Sequence, residues 1–147
     1  IVTAESCTGG MVASALTDIA GSSAALERGL VTYSNAAKME LLGVKDATLT
    51  THGAVSAECV AEMVTGALAK TPTAMLALAV TGVAGPDGGT PSKPVGLIHF
   101  ACQRRGEAAQ LDRVNFNGDR PAIRAQATLH ALQLLAKMLA DDINDGR

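Results

Sequence analysis

The chain has 147 residues, a length that suits one domain with a sizeable core. Hydrophobic residues make up 48% of it and aromatic residues 2%, with no tryptophan, so Ala, Val, Leu and Gly must do the packing and close helix-on-sheet contacts are favoured over a barrel of large rings. A formal net charge of −2 with no basic run excludes the electrostatic footprint of a nucleic-acid binder, and so few rings leave no base-stacking platform.

Ile1 to Ala4 reads as a short buried strand. From Gly9, the residues Met11, Val12, Ala15, Leu16 and Ile19 recur at helical spacing, and Gly21 stops the pattern. Ser22 to Leu26 reads as a turn of helix, and Gly29 to Tyr33 as a strand. Asn35 is the expected cap of a helix through Leu42, ended by Gly43. Asp46 to Gly53 reads as a connecting segment. Ser56 then caps a helix whose apolar face carries Val60, Met63, Val64, Ala67 and Leu68. The run Ala74 to Val80 is continuously apolar, as in a central strand covered on both faces.

A long glycine-rich loop, Thr81 to Pro94, precedes a strand from Val95 to Cys102 and another from Ala108 to Phe116. Asp119 or Arg120 opens the last helix, with Pro121 in its first turn and Ala127, Ala131, Leu134, Leu135 and Met138 along one face. The tail is expected to fray from about residue 141. Strands alternate with helices and then follow one another directly. The prediction is a single three-layer α/β/α domain over residues 1–147 with a mixed, mostly parallel sheet. The chain opens inside a strand, which predicts a further segment before Ile1.

Cys7, Cys59 and Cys102 are odd in number and far apart, which argues against a disulfide framework and for a reducing compartment. No apolar run reaches membrane-spanning length and no signal peptide is recognisable, so a cytoplasmic location is expected.

Ligands of open α/β sheets bind beyond the carboxyl ends of the strands. Two polar, glycine-rich segments fall at such ends: ESCTGG after the first strand and TGVAGPDGG after the central one. The helix that begins near Gly9 would point free N–H groups at an anion. Thr8, Gly9 and Gly10 therefore cradle a phosphate, hold an oxyanion, or form only a tight strand-to-helix turn.

Ser6 is a nucleophile if a base takes its proton. His99 falls in a strand and His130 well inside a helix, so both read as structural, while His52 lies in a connection and stays open. Lys38 is the other base, since Ser–Lys pairs are a known variant of the catalytic triad. It must then be neutral, through burial or a nearby cation; the competing reading is a solvated helix lysine. Tyr33, the single tyrosine, would relay a proton or hold the lysine. Cys7 is a rival nucleophile or a packed thiol. Glu5 orients a lysine or a substrate hydroxyl, or pairs structurally. Arg120 suits a phosphate or carboxylate, or a surface ion pair. No His, Asp or Glu cluster has metal spacing, so neither a catalytic metal nor a cofactor is expected.

Five stretches in this order, TAESCTGG, VTYSNAAKMELLGV, HGAVS, TGVAGPDGGTPSKPVG and NGDR, resemble the C-terminal domain of competence-damage-inducible proteins. The resemblance runs from Thr3 to about Leu135. Free-standing forms of that domain are nicotinamide-nucleotide amidases. The resemblance implies deamidation of nicotinamide mononucleotide to nicotinic acid mononucleotide and ammonia, in bacterial pyridine-nucleotide salvage. It implies a metal-free Ser/Tyr/Lys group at Ser6, Tyr33 and Lys38, and nucleotide contacts at Thr81, Gly82 and Arg120. It also implies a homodimer. A non-catalytic nucleotide-sensing or protein-interaction module is the alternative.

Overall fold

The computed structural model of the chain describes residues 1–144 and 146, without the side chain of residue 142. In chain order the elements are β1 (Val2–Glu5), α1 (Met11–Thr17), a 3-10 turn (Ser22–Ala24), β2 (Arg28–Val31), α2 (Asn35–Leu42), α3 (Asp46–His52) and α4 (Ala57–Lys70). They continue with β3 (Leu76–Gly82), β4 (Leu97–Arg104), β5 (Gln110–Asn115) and α5 (Arg120–Asn144). One five-stranded sheet has the order β2-β1-β3-β4-β5. β1 pairs in parallel with β2 and with β3, while β4 runs antiparallel to both β3 and β5. Four strands thus point one way and β4 is reversed, which is the expected mixed sheet.

The two faces of the sheet carry different side chains. On β3, Ala77 and Ala79 face α4, where Val60, Met63, Val64 and Ala67 pack on them. The alternate residues Leu76, Leu78 and Val80 face α1 and α5, together with Ile98, Phe100, Ile123 and Ala127. Small residues let α4 sit close, and larger ones fill the space under α5. The strand period of 2 sorts the two sets.

Three sequence expectations are corrected. The segment Asp46–His52, read as a connection, is helix α3. It lacks an apolar period, and it is held from outside: Glu62 of α4 accepts the Lys45 N–H at 2.8 Å and the Thr48 hydroxyl at 2.6 Å. The cap of α2 is Ser34, not Asn35: its Oγ accepts the Ala37 N–H at 3.0 Å. The tail expected to fray from about 141 instead continues α5 to Asn144, and residues 145 and 147 lie outside the described ones. No helix of the described residues is long and apolar enough to cross a membrane.

Candidate active site

Ser6 is the first residue past β1. Its N–H donates to Val80 O at 3.0 Å and extends the β1–β3 ladder by one bond. The chain then turns within four residues: Gly9 N–H donates to Ser6 O and Met11 N–H to Thr8 O, both at 3.0 Å. Gly9 has φ +57° and Gly10 φ +100°, a region that other residues enter only with strain. The turn therefore needs both glycines.

Glu5 points from β1 under this turn and is 1% exposed. Its carboxylate accepts the Thr8 hydroxyl at 2.7 Å, the Val12 N–H at 2.9 Å and the Ala13 N–H at 3.0 Å. The first-turn amides of α1 already hold an anion, and it belongs to the protein. This corrects the expectation that they are free for a substrate anion. The N–H groups of Thr8 and Gly10 donate to no acceptor among the described residues.

Lys38 comes from the inward side of α2 and is 1% exposed. Its Nζ lies 2.9 Å from Ser6 Oγ, 2.9 Å from Thr32 O and 3.2 Å from Tyr33 O. A neutral amine has two N–H donors and one lone pair. As an ammonium it would donate to all three oxygens; as a neutral amine it would donate to the two carbonyls and turn its lone pair to the Ser6 hydroxyl proton. Burial lowers the Lys38 pKa from its ordinary value, and Cys59 and Cys7 nearby oppose the shift. The solvated-lysine reading is thereby excluded.

Tyr33 is 61% exposed. Its carbonyl, not its hydroxyl, holds Lys38. The hydroxyl accepts from Arg120 Nη2 at 2.9 Å, and Arg120 Nη1 donates to Gly85 O at 2.7 Å. Arg120 stands at the start of α5, where Asp119 Oδ1 accepts the Ala122 N–H at 3.0 Å. Tyr33 and Arg120 thus meet from positions 87 residues apart.

Thr81 and Gly82, expected at the substrate, also have contacts within the chain. The Thr81 hydroxyl donates to Ala54 O at 2.9 Å. A Cβ on Gly82 would stand 2.6 Å from the backbone oxygen of Leu97, so only glycine lets β4 approach there. Cys7 is 6% exposed in the core beneath α1, and burial pushes its thiol up to about 11. At neutral pH it is protonated and inert. His52 pairs with Glu58 at 3.5 Å, and His130 bonds Asp112 at 2.7 Å. His99 lies in β4, where burial lowers its pKa. None of the three touches Ser6. Among the described residues no group of His, Cys, Asp and Glu is placed to hold a metal ion.

One contributor was not anticipated from sequence. Arg124, one turn along α5 from Arg120, donates from Nε to Cys7 O at 3.0 Å and from Nη2 to Thr8 O at 3.3 Å. The only sequence signal is the four-residue spacing of two arginines at a helix start.

The family model for the CinA C-terminal domain matches residues 1–139. The nicotinamide-nucleotide amidohydrolase PncC of Escherichia coli (strain K12) is 56% identical over 136 residues, which cover 92% of this chain and 81% of that protein. A CinA-like protein of Kosmotoga olearia is 45% identical over 139 residues, 95% of this chain and 33% of that longer protein. The crystal structure of the competence/damage inducible protein CihA from Agrobacterium tumefaciens superposes with a TM-score of 0.90 at 48% identity, covering 92% of this chain and 82% of that one.

Proposed function

Because this chain belongs to the CinA C-terminal domain family, we propose that it is a nicotinamide-nucleotide amidohydrolase working through Ser6 and Lys38. The observation that carries the reading is the buried Lys38 amine 2.9 Å from Ser6 Oγ. Ser6 Oγ attacks the carboxamide carbon of nicotinamide mononucleotide while Lys38 Nζ takes its proton. The amide oxygen becomes an oxyanion, for which the part-exposed Gly10 N–H, without an acceptor among the described residues, is a donor that the turn offers. Lys38 returns the proton to the leaving nitrogen, and ammonia departs from an ester on Ser6. Water, deprotonated by the same amine, hydrolyses the ester to nicotinic acid mononucleotide.

Glu5 is excluded from this chemistry by its bonds to α1. Tyr33 and Arg120 form one unit at the rim. Arg120 retains donors beyond the two used on Gly85 and Tyr33, so it can meet the 5′-phosphate without leaving them. Thr81 and Gly82 support the crevice from β3. The setting that goes with this reading is cytoplasmic nucleotide salvage by a homodimer.

The test is an assay of purified protein with nicotinamide mononucleotide, following ammonia and nicotinic acid mononucleotide together. Equal release of both supports the proposal. Binding of the nucleotide with no product would overturn it in favour of a sensing module.

A further inference from the structure

α5 sends Arg124 to the turn that carries Ser6. The side chain of Arg124 is half-buried and its fork spans two consecutive carbonyls, Cys7 O at 3.0 Å and Thr8 O at 3.3 Å. These partners lie 117 and 116 residues away in sequence. A rigid planar guanidinium on two successive carbonyls fixes two successive peptide planes. The space beside it is closed as well, since a Cβ on Gly9 would stand 3.2 Å from Arg124 Nη2.

The orientation has a chemical consequence. The Cys7–Thr8 peptide is trans, so its N–H points opposite to its carbonyl. With Cys7 O turned toward Arg124, the Thr8 N–H is turned away from it. That N–H has no acceptor among the described residues although Thr8 is fully buried, and buried donors without partners are rare. A positive charge on the carbonyls also polarises these peptides and sharpens their N–H groups as donors. Lys38 reaches the turn from α2, while Arg124 reaches it from α5 across the sheet.

We infer that Arg124 is a positioning residue for acyl transfer: by clasping the two carbonyls that follow Ser6, it fixes the shape of the turn and with it the direction of the Ser6 hydroxyl. The substrate in this inference comes from the amidase reading above; the geometry does not depend on it.

Arg124→Ala and Arg124→Lys are compared with wild type in two reactions. One is turnover of nicotinamide mononucleotide. The other is phosphonylation of Ser6 by a fluorophosphonate, which needs no natural substrate. Arg124→Ala is expected to lower both kcat and the labelling rate about 100-fold, as for a lost oxyanion donor or a small misplacement. KM should stay within about threefold, because the interaction is not made to substrate. The pH midpoint should not move, because Lys38 is untouched. Arg124→Lys keeps the charge and one bond, and should recover to within about tenfold of wild type. A raised KM at unchanged kcat, labelling at the wild-type rate, or a loss that only tracks the unfolded fraction in thermal melts would each overturn the inference. Wild type that labels at Ser6 but leaves the nucleotide intact would count against the amidase reading alone, and the labelling comparison would still decide Arg124.

Discussion

Lys38 sits where a lysine is costly, 1% exposed and bonded to neutral oxygens. Burial among neutral oxygens, with no carboxylate bonded to Nζ, disfavours the charged form and lowers its pKa. The direction of the pKa shift decides the pH behaviour. Below the lowered Lys38 pKa the amine is charged and cannot take the Ser6 proton. Above it the amine is neutral and the rate reaches a plateau. The kcat/KM profile should therefore rise with pH through one ionisation lying below the ordinary lysine range. Lys38→Met should remove this limb and lower kcat by about 1,000-fold, the scale seen when a member of a nucleophile–base pair is lost. A profile flat from acid to alkaline pH in the wild type would show that Lys38 is not the base.

Helix α1 is short, seven residues, and has no side-chain cap of the ordinary kind at Gly10. Glu5 does that work from the end of β1, five residues before the helix cap. A buried carboxylate with two backbone donors and the hydroxyls of Thr3 and Thr8 is a charge met by partners. Glu5→Ala leaves those donors unpaired and should cost about 2–4 kcal/mol in urea unfolding. A loss under half a kcal/mol would show that water replaces the carboxylate.

The same elements show what the sequence could reveal. Ser6 and Lys38 were legible because a strand-to-helix turn with a serine and a short lysine-bearing helix are local patterns. The central place of β3 was legible from the run Ala74 to Val80, whose continuous apolarity marks a strand covered on both faces. Helix α3 was not legible, because Thr-rich DATLTTH has no apolar period and Glu62 of another helix stabilises it. The capping role of Glu5 and the clasp of Arg124 were hidden for the same reason. Each is defined by partners in another element, and a lone Glu or Arg carries no local mark of them.

At the scale of the molecule, the site stands where β1, β2 and β3 end and α5 begins. α5 is tied back to the sheet at a second place, through His130 of α5 and Asp112 of β5 at 2.7 Å. The His130 hydrogen bond holds the Asp112 carboxyl below its usual range. A carboxylate with a depressed folded pKa contributes stability that is present above its unfolded pKa and lost as pH falls through the folded one. Asp112→Asn should therefore lower Tm at neutral pH and flatten its dependence on pH in the acid limb. Thermal melts from neutral pH into the acid range check this, and parallel curves for variant and wild type would contradict it.

The most direct test of the whole account is ammonia release from nicotinamide mononucleotide by wild type and Ser6→Ala, measured side by side at equal folded protein. The account predicts release by wild type matched by nicotinic acid mononucleotide, and a rate at least about 1,000-fold lower in Ser6→Ala. Turnover by Ser6→Ala at the wild-type rate would contradict it, because no other nucleophile in the turn is both exposed to substrate and served by a base.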